Sequence, residues 1–165
     1  MSIDPTEFRS TIGRFATGVT VVTAAFEGRL HGMTANAVTS VSLDPPMLLV
    51  CVARTAHAHA LLEGSRAFTV NILSEAQEEV SRLFAQPTAP EPGRLQGVGF
   101  TIGRTGSPVL EDCVAYLECR VTEVVEGGDH SIFLGEVVAE GVVAEASPLI
   151  FFGGRYRGLA DGPSS

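Results

Sequence analysis

Two long β-prone runs, Cys113–Val125 and Ser131–Val143, flank the short stretch Glu126-Gly127-Gly128-Asp129. A glycine pair between Val-rich runs is a tight-turn signal, so the two are predicted to fold back on each other as a hairpin. A ribbon that long presents two open edges and needs a larger antiparallel sheet around it. The chain supplies one: Val19–Ala25 and Leu30–Asn36 about the Glu27-Gly28 turn, then Val38–Leu43, Met47–Val52, Arg66–Leu73, Gly99–Ile102 and Leu149–Phe152. About six to eight strands and three short helices are expected, with no regular alternation of strand and helix. The fold class is therefore mainly β, and an antiparallel closed or split β-barrel is the natural way to limit the edges.

The helices are read from their ends. Asp4 caps a first helix, with Pro5 in the first turn and Glu7 at the third position. Its face of Phe8, Ile12 and Phe15 is expected to pack on the sheet, with its rim free to meet a partner subunit, and Gly18 to end it. Met47–Val52 is uniformly apolar after the Asp44-Pro45-Pro46 break, so it is read as a central strand covered on both faces. Thr55 is predicted to cap a helix over Ala56–Glu63, with Leu61 and Leu62 inward. Ser74-Glu75-Ala76-Gln77 is a capping box, opening a helix to about Ala85 with Ala76, Val80, Leu83 and Phe84 inward. Gln86–Gly97 is a surface loop. Residues 1–165 are read as a single domain, with 1–3 and 161–165 flexible.

Composition narrows the function. The net charge is −8, and all eleven basic residues are Arg. Without Lys there is no Lys Schiff base, and without a basic surface no general nucleic-acid binder. A small anionic ligand needs only local Arg and oriented backbone N–H groups. Cys51, Cys113 and Cys119 are too few and too scattered for a disulfide framework, and are expected to be reduced and buried. His57 and His59 are too poorly spaced to support a metal site. No run is long enough to span a membrane, so a cytoplasmic protein is expected. A mean hydropathy of +0.25 points to surface buried in an oligomer. No convincing GxGxxG, P-loop or GxSxG elbow is present.

The stretch His31–Pro46, HGMTANAVTSVSLDPP, is rich in small polar residues and lies between two apolar strands. Its free hydroxyls and amides leave main chain open to a flat, polar-edged ligand; a plain polar edge strand is the alternative. The order Gly32-Met33-Thr34-Ala35-Asn36, then Thr39-Ser40-Val41-Ser42-Leu43-Asp44-Pro45-Pro46, resembles the short-chain flavin reductase family, the reductase components of two-component flavin monooxygenases. Phe15-Ala16-Thr17-Gly18-Val19-Thr20-Val21-Val22-Thr23 before it, and Gly128-Asp129-His130 and Tyr156 after it, keep the family's order. The resemblance runs from about Phe8 to Leu159. It implies an FMN-binding split barrel with Greek-key connections, a homodimer, and a separate flavin-dependent oxygenase as partner.

The resemblance also suggests a site. Thr34, Ala35 and Asn36 would line the flavin ring system, followed by Ser40 and Val41, with Cys51 and Val52 bordering it. Arg54 and Thr55, at a helix start, offer charge and donors to the flavin phosphate, although Ala56-His57 departs from the polar run usual in the family. Arg82 is placed either on the phosphate or dinucleotide tail, or in a surface salt bridge. His130 would lie near the flavin and help accept the nicotinamide; otherwise it is a turn histidine bonded to backbone. Gly154, Arg155 and Tyr156, after the last strand, would serve the dinucleotide, or form an exposed C-terminal turn. His31, His57 and His59 are left as surface or turn residues.

These features read as an NAD(P)H:flavin oxidoreductase, with FMN or FAD as acceptor, NADH or NADPH as donor, and the flavin either substrate or held cofactor. The alternatives are a non-catalytic flavin- or haem-binding module on the same barrel and a structural dimerisation domain.

Overall fold

The computed structural model describes residues 2–160. The flexible ends expected at residue 1 and at 161–165 lie outside the described residues.

Helix α1 (Pro5–Ile12) starts as expected: the Asp4 carboxylate accepts from the N–H groups of Thr6 at 2.8 Å and Glu7 at 3.2 Å. It ends at Ile12, well before Gly18, because Gly13 caps it and the chain leaves through tight turns from Arg14 to Thr11 and Phe15 to Ile12. Its apolar face does not pack on the sheet. Phe8, Ile12 and Phe15 are 61%, 53% and 72% exposed.

Strands β1 (Thr17–Gly18), β2 (Thr20–Phe26), β3 (Arg29–Ala35), β4 (Val38–Leu43) and β5 (Pro46–Ala53) follow, then α2 (His57–Ser65) and β6 (Ala67–Ile72). A 3-10 turn at Glu75–Gln77 leads into α3 (Glu78–Phe84). After it come β7 (Glu91–Pro92), β8 (Phe100–Ile102), β9 (Pro108–Leu110), β10 (Ala115–Gly127), β11 (His130–Val142), β12 (Ile150–Phe152) and β13 (Arg155–Arg157).

The main sheet runs β4-β5-β11-β10-β6-β2-β3-β7, with every pair antiparallel. β3 and β4 lie at opposite ends of this order, yet only Asn36 and Ala37 join them. Two intervening residues reach about 10 Å at most. The sheet must therefore curl until its ends nearly meet, giving a barrel split at the β3/β4 seam. The predicted β10–β11 hairpin is its longest ribbon, with Gly128 at φ 69° in the turn.

β2 shows what closing does. Val22 and Ala24 face the barrel core with Val50, Phe68 and Phe133, while Val19 and Val21, next to them in sequence, enter a second core with Leu73, Phe84 and Leu149. Both faces of β2 are covered, and even its two threonines, Thr20 and Thr23, are buried. β5 does not follow suit. Leu48, Val50 and Val52 are buried, but Met47, Leu49, Cys51 and Ala53 are only half-buried. The expectation of cover on both faces fails because that face opens into a cleft.

Two smaller corrections bear on the site. The capping box forms, with Ser74 N–H donating to Gln77 Oε1 at 3.0 Å, but Ala76 is exposed and Gln77 and Ser81 turn inward. Nor is Leu149–Phe152 the last strand. Gly153 and Gly154, at φ 59° and 76°, reverse the chain so that β13 pairs with β12.

Candidate functional site

The site elements converge from three directions on the seam end of the barrel. In register, Ala37 lies beside Cys51, whose N–H donates to the Ala37 carbonyl at 3.0 Å. β11 flanks β5 on its other side, pairing Val52 with Ser131 and Ala53 with His130. The seam, the end of β5 and the β10–β11 turn therefore share one end of the sheet.

The start of α2 is open. Thr55 was expected to cap it, but the helix begins two residues later, with Ala56 at the N-cap position; among the described residues no side chain caps the His57 and Ala58 N–H groups, while the His59 N–H donates to the Ala56 carbonyl at 3.0 Å. No acidic residue lies in its first turn. A helix start left this way attracts an anion. Arg54 and Thr55, immediately before it, are exposed. Arg54 reaches only a glancing ion pair with the exposed Glu126, at 3.4 Å.

The turn carrying His130 is tied to the same place. Arg54 N–H donates to the Asp129 carbonyl at 3.1 Å. His130 Nδ1 lies 2.7 Å from Asp129 Oδ1. The Asp129 carboxyl is held below its usual range, chiefly by that hydrogen bond and by the charges of His130 and Arg54. With Nδ1–H donated to a carboxylate, the His130 ring leaves Nε2 unpaired.

The third wall is α3 with the terminal hairpin. Thr34 Oγ1 donates to the Ser81 carbonyl at 2.6 Å. Ser81 Oγ, fully buried, meets the Tyr156 hydroxyl at 2.7 Å. The Arg82 guanidinium stands 4.8 Å over the Tyr156 ring and bonds Glu78 through two nitrogens, at 3.0 and 2.6 Å. Glu78 raises the Arg82 pKa through that hydrogen bond.

The other expected site residues differ in their surroundings. The Thr34 hydroxyl is not free, since it is spent on Ser81. Ala35 is buried, and its carbonyl accepts from the Thr20 hydroxyl at 2.6 Å. Val52 is wholly inside the barrel core. Val41 sits where the β4/β5 register slips and is 48% exposed, off the cleft. Arg155 is exposed on β13.

The open face of β5 lines a cleft of about 1650 Å³, shared with Asn36, Ser40, Gly154 and α1. It includes Cys51, whose thiol burial pushes up and keeps protonated. Arg54, Thr55, Arg82, Tyr156 and His130 lie outside it. The cleft exceeds the roughly 300–1,000 Å³ usual for one small ligand, which suits an apolar face as well as a pocket.

Sequence reasoning missed three residues here. His31 is 7% exposed, with its Nδ1 unpartnered and its ring 6.0 Å from that of His57. Burial, with the His57 charge, pushes its pKa down to about 4. His59 is half-buried and bonded to Ser131. Ser81 is the hub of the third wall. None carries a local signal, because each is set by a neighbour far away in the chain. Cys113 and Cys119 are buried and free, with Cys119 pushed up to about 12, mainly by burial. Cys51, expected buried, is half-exposed to the cleft. Among the described residues, no cluster could hold a metal, and no helix is long and apolar enough to cross a membrane.

Comparison with known proteins agrees on the architecture. Residues 12–160 match the family model described as a flavin reductase like domain. A 4-nitrophenol 4-monooxygenase/4-nitrocatechol 2-monooxygenase reductase component of Rhodococcus opacus is 42% identical, over 93% of this chain and 80% of that protein. A probable flavin reductase of Rhizobium meliloti is 44% identical over 82% of this chain, which spans 43% of that longer protein. The solved structure of the NADH:FAD oxidoreductase SgcE6 of Streptomyces globisporus C-1027 superposes with a TM-score of 0.89 at 40% identity, covering 98% of each chain.

Proposed function

This chain belongs to the flavin reductase-like family, and we propose that it is an NAD(P)H-dependent flavin reductase that supplies reduced FMN or FAD to a separate monooxygenase. One observation carries the reading for this chain: an uncapped helix start beside an exposed Arg54, tied by backbone to the turn that presents His130. Spare donors and a spare imidazole nitrogen meet at the barrel's seam. The printed names of the relatives, a monooxygenase reductase component and an NADH:FAD oxidoreductase, point the same way.

The residues present fit a flavin. The first N–H groups of α2, Thr55 and Arg54 would hold its phosphate. Asn36 and the main chain of the seam would meet the polar edge of its ring. When bound, the flavin supplies the electron-accepting ring that takes hydride from the nicotinamide. His130 Nε2 would orient the incoming nicotinamide, with Asp129 fixing the ring. Tyr156 and Arg82 would wall the dinucleotide on the α3 side rather than seize its phosphates, since both are already engaged with Ser81 and Glu78.

A homodimer belongs to the same proposal. Phe8 and Ile12 of α1, with Phe15 just after it and Leu43 at 93% exposure, are large apolar side chains left in water, and Ile12, Phe15 and Leu43 line one cleft. A second copy is the occupant proposed, and a monomeric mass in dilute solution would reject it. A single functional unit and a cytoplasmic location complete the reading, the latter supported by three free cysteines.

The test is a grid of NADH and NADPH against FMN, FAD, riboflavin and no flavin, followed by nicotinamide absorbance. Flavin-dependent oxidation is expected. A retained flavin with no oxidation would favour a binding module instead.

A further inference from the structure

β11 begins at His130, and its next residue, Ser131, is 6% exposed. The Ser131 hydroxyl lies 2.8 Å from His59 Nε2 on α2. On the other side of that ring, Nδ1 lies 3.6 Å from Glu63 Oε2, one helical turn on. The ring edge packs on Phe133 at 5.3 Å. Only 12% of the His59 side chain is exposed.

The order acid, imidazole, hydroxyl is that of a hydrolase triad, but Ser131 is buried in a paired strand, with Val52 beside it. No substrate carbonyl can reach it. The same geometry does something else. Glu63 favours the tautomer with the proton on Nδ1, which leaves Nε2 to accept from the Ser131 hydroxyl. α2 thereby grips the strand one residue past His130.

We propose that His59 is a positioning residue that sets His130 relative to the start of α2, through its bond to Ser131. This rests on the reductase reading above. The Gly128-Asp129 turn is intrinsically soft at Gly128, and it is fixed to α2's approach by the Arg54 N–H to Asp129 carbonyl bond and to the helix body by His59. Flavin phosphate and nicotinamide would then be held by two ends of one rigid unit. Nicotinamide binding depends on that spacing, because His130 Nε2 can meet the nicotinamide only if it stands at the right distance from a flavin held at the start of α2.

The experiment compares His59→Phe, which keeps a ring against Phe133, with His59→Gln, whose amide reaches the Nε2 position. Ser131→Ala is the second way to remove the bond. The His130 ring resonances of the flavin-free protein are read by NMR, alongside flavin Kd, kcat and KM for the nicotinamide. Loss of one buried hydrogen bond should raise KM about fivefold, with kcat and flavin Kd within about twofold. His59→Phe and Ser131→Ala should shift the His130 resonances alike, and His59→Gln should restore both readouts. Unmoved resonances, an unmoved KM, or an equal loss in His59→Gln would overturn the proposal, as would a flavin Kd that worsens as much as KM. If the unaltered protein oxidises no nicotinamide with any flavin, the reductase reading fails, and the role in catalysis with it. The resonances would still show separately whether His59 sets His130.

Discussion

The walls at the start of α2 and along α3 use the same residue types to opposite ends. Along α3, every polar group named above is spent within the chain: Thr34 on Ser81, Ser81 on Tyr156, Arg82 on both Glu78 and the Tyr156 ring. At α2, the first helix N–H groups have no side-chain cap, Arg54 has one loose partner, and His130 Nε2 is unpaired. A satisfied network holds shape. An unsatisfied one is free to take a ligand, because its donors exchange water rather than a protein partner fixed in the fold. We propose on this ground that α2 recognises the ligand and α3 supports the wall beside it.

The comparison breaks most readily at His130. His130→Ala is expected to lower kcat/KM for the nicotinamide about tenfold or more, and to weaken flavin binding less. Unchanged steady-state kinetics would remove His130 from the site. At Arg54, a charge-assisted phosphate contact worth about 1.5–3 kcal/mol should raise FMN Kd about tenfold or more in Arg54→Ala, read by fluorescence quenching. An equal Kd would reject the contact.

Between the walls lies His31, whose pKa falls from an ordinary 6.5 to about 4. The unfolded chain takes this proton near pH 6.5, while the folded protein takes it only near 4. Its stability contribution is therefore whole above that window and declines as pH falls through it. His31→Leu should flatten the dependence of Tm on pH there, and an unaltered slope would acquit His31.

On the α3 side, effects should fall on stability rather than binding. Tyr156→Phe removes one hydrogen bond to Ser81, about 1 kcal/mol, lowering Tm by roughly 2–4 °C while flavin Kd stays within about twofold. The smallest effect is expected for Arg82→Ala. An exposed ion pair is screened by water and contributes little, so Tm should hardly move and flavin Kd should change less than about twofold. A tenfold loss there would make α3 a binding wall after all.

Local chemistry was legible in the sequence. Asp4 and the Ser74–Gln77 box cap where expected, and a turn within Glu126-Gly127-Gly128-Asp129, at Gly128-Asp129, joins the two long strands. Coverage was not, because it depends on elements remote in the chain. The α1 face and Met47–Val52 read as core by pattern, yet each looks onto a cleft. The site residues were legible as places rather than contacts. Arg54 and His130 came to one end of the sheet, but no pattern could show that Val52 points inward or that Thr34 spends its hydroxyl on Ser81. β13 was available: Gly153-Gly154 between Phe152 and Arg155 is a hairpin signal.

The most direct measurement compares FMN with riboflavin, which lacks the phosphate, in binding to the native protein and to Arg54→Ala. If α2's open start is the phosphate seat, the native protein binds FMN about tenfold or more tighter, and Arg54→Ala removes most of that preference while leaving riboflavin binding unchanged. Equal affinity for FMN and riboflavin in the native protein, or a preference that survives the loss of Arg54, would contradict it.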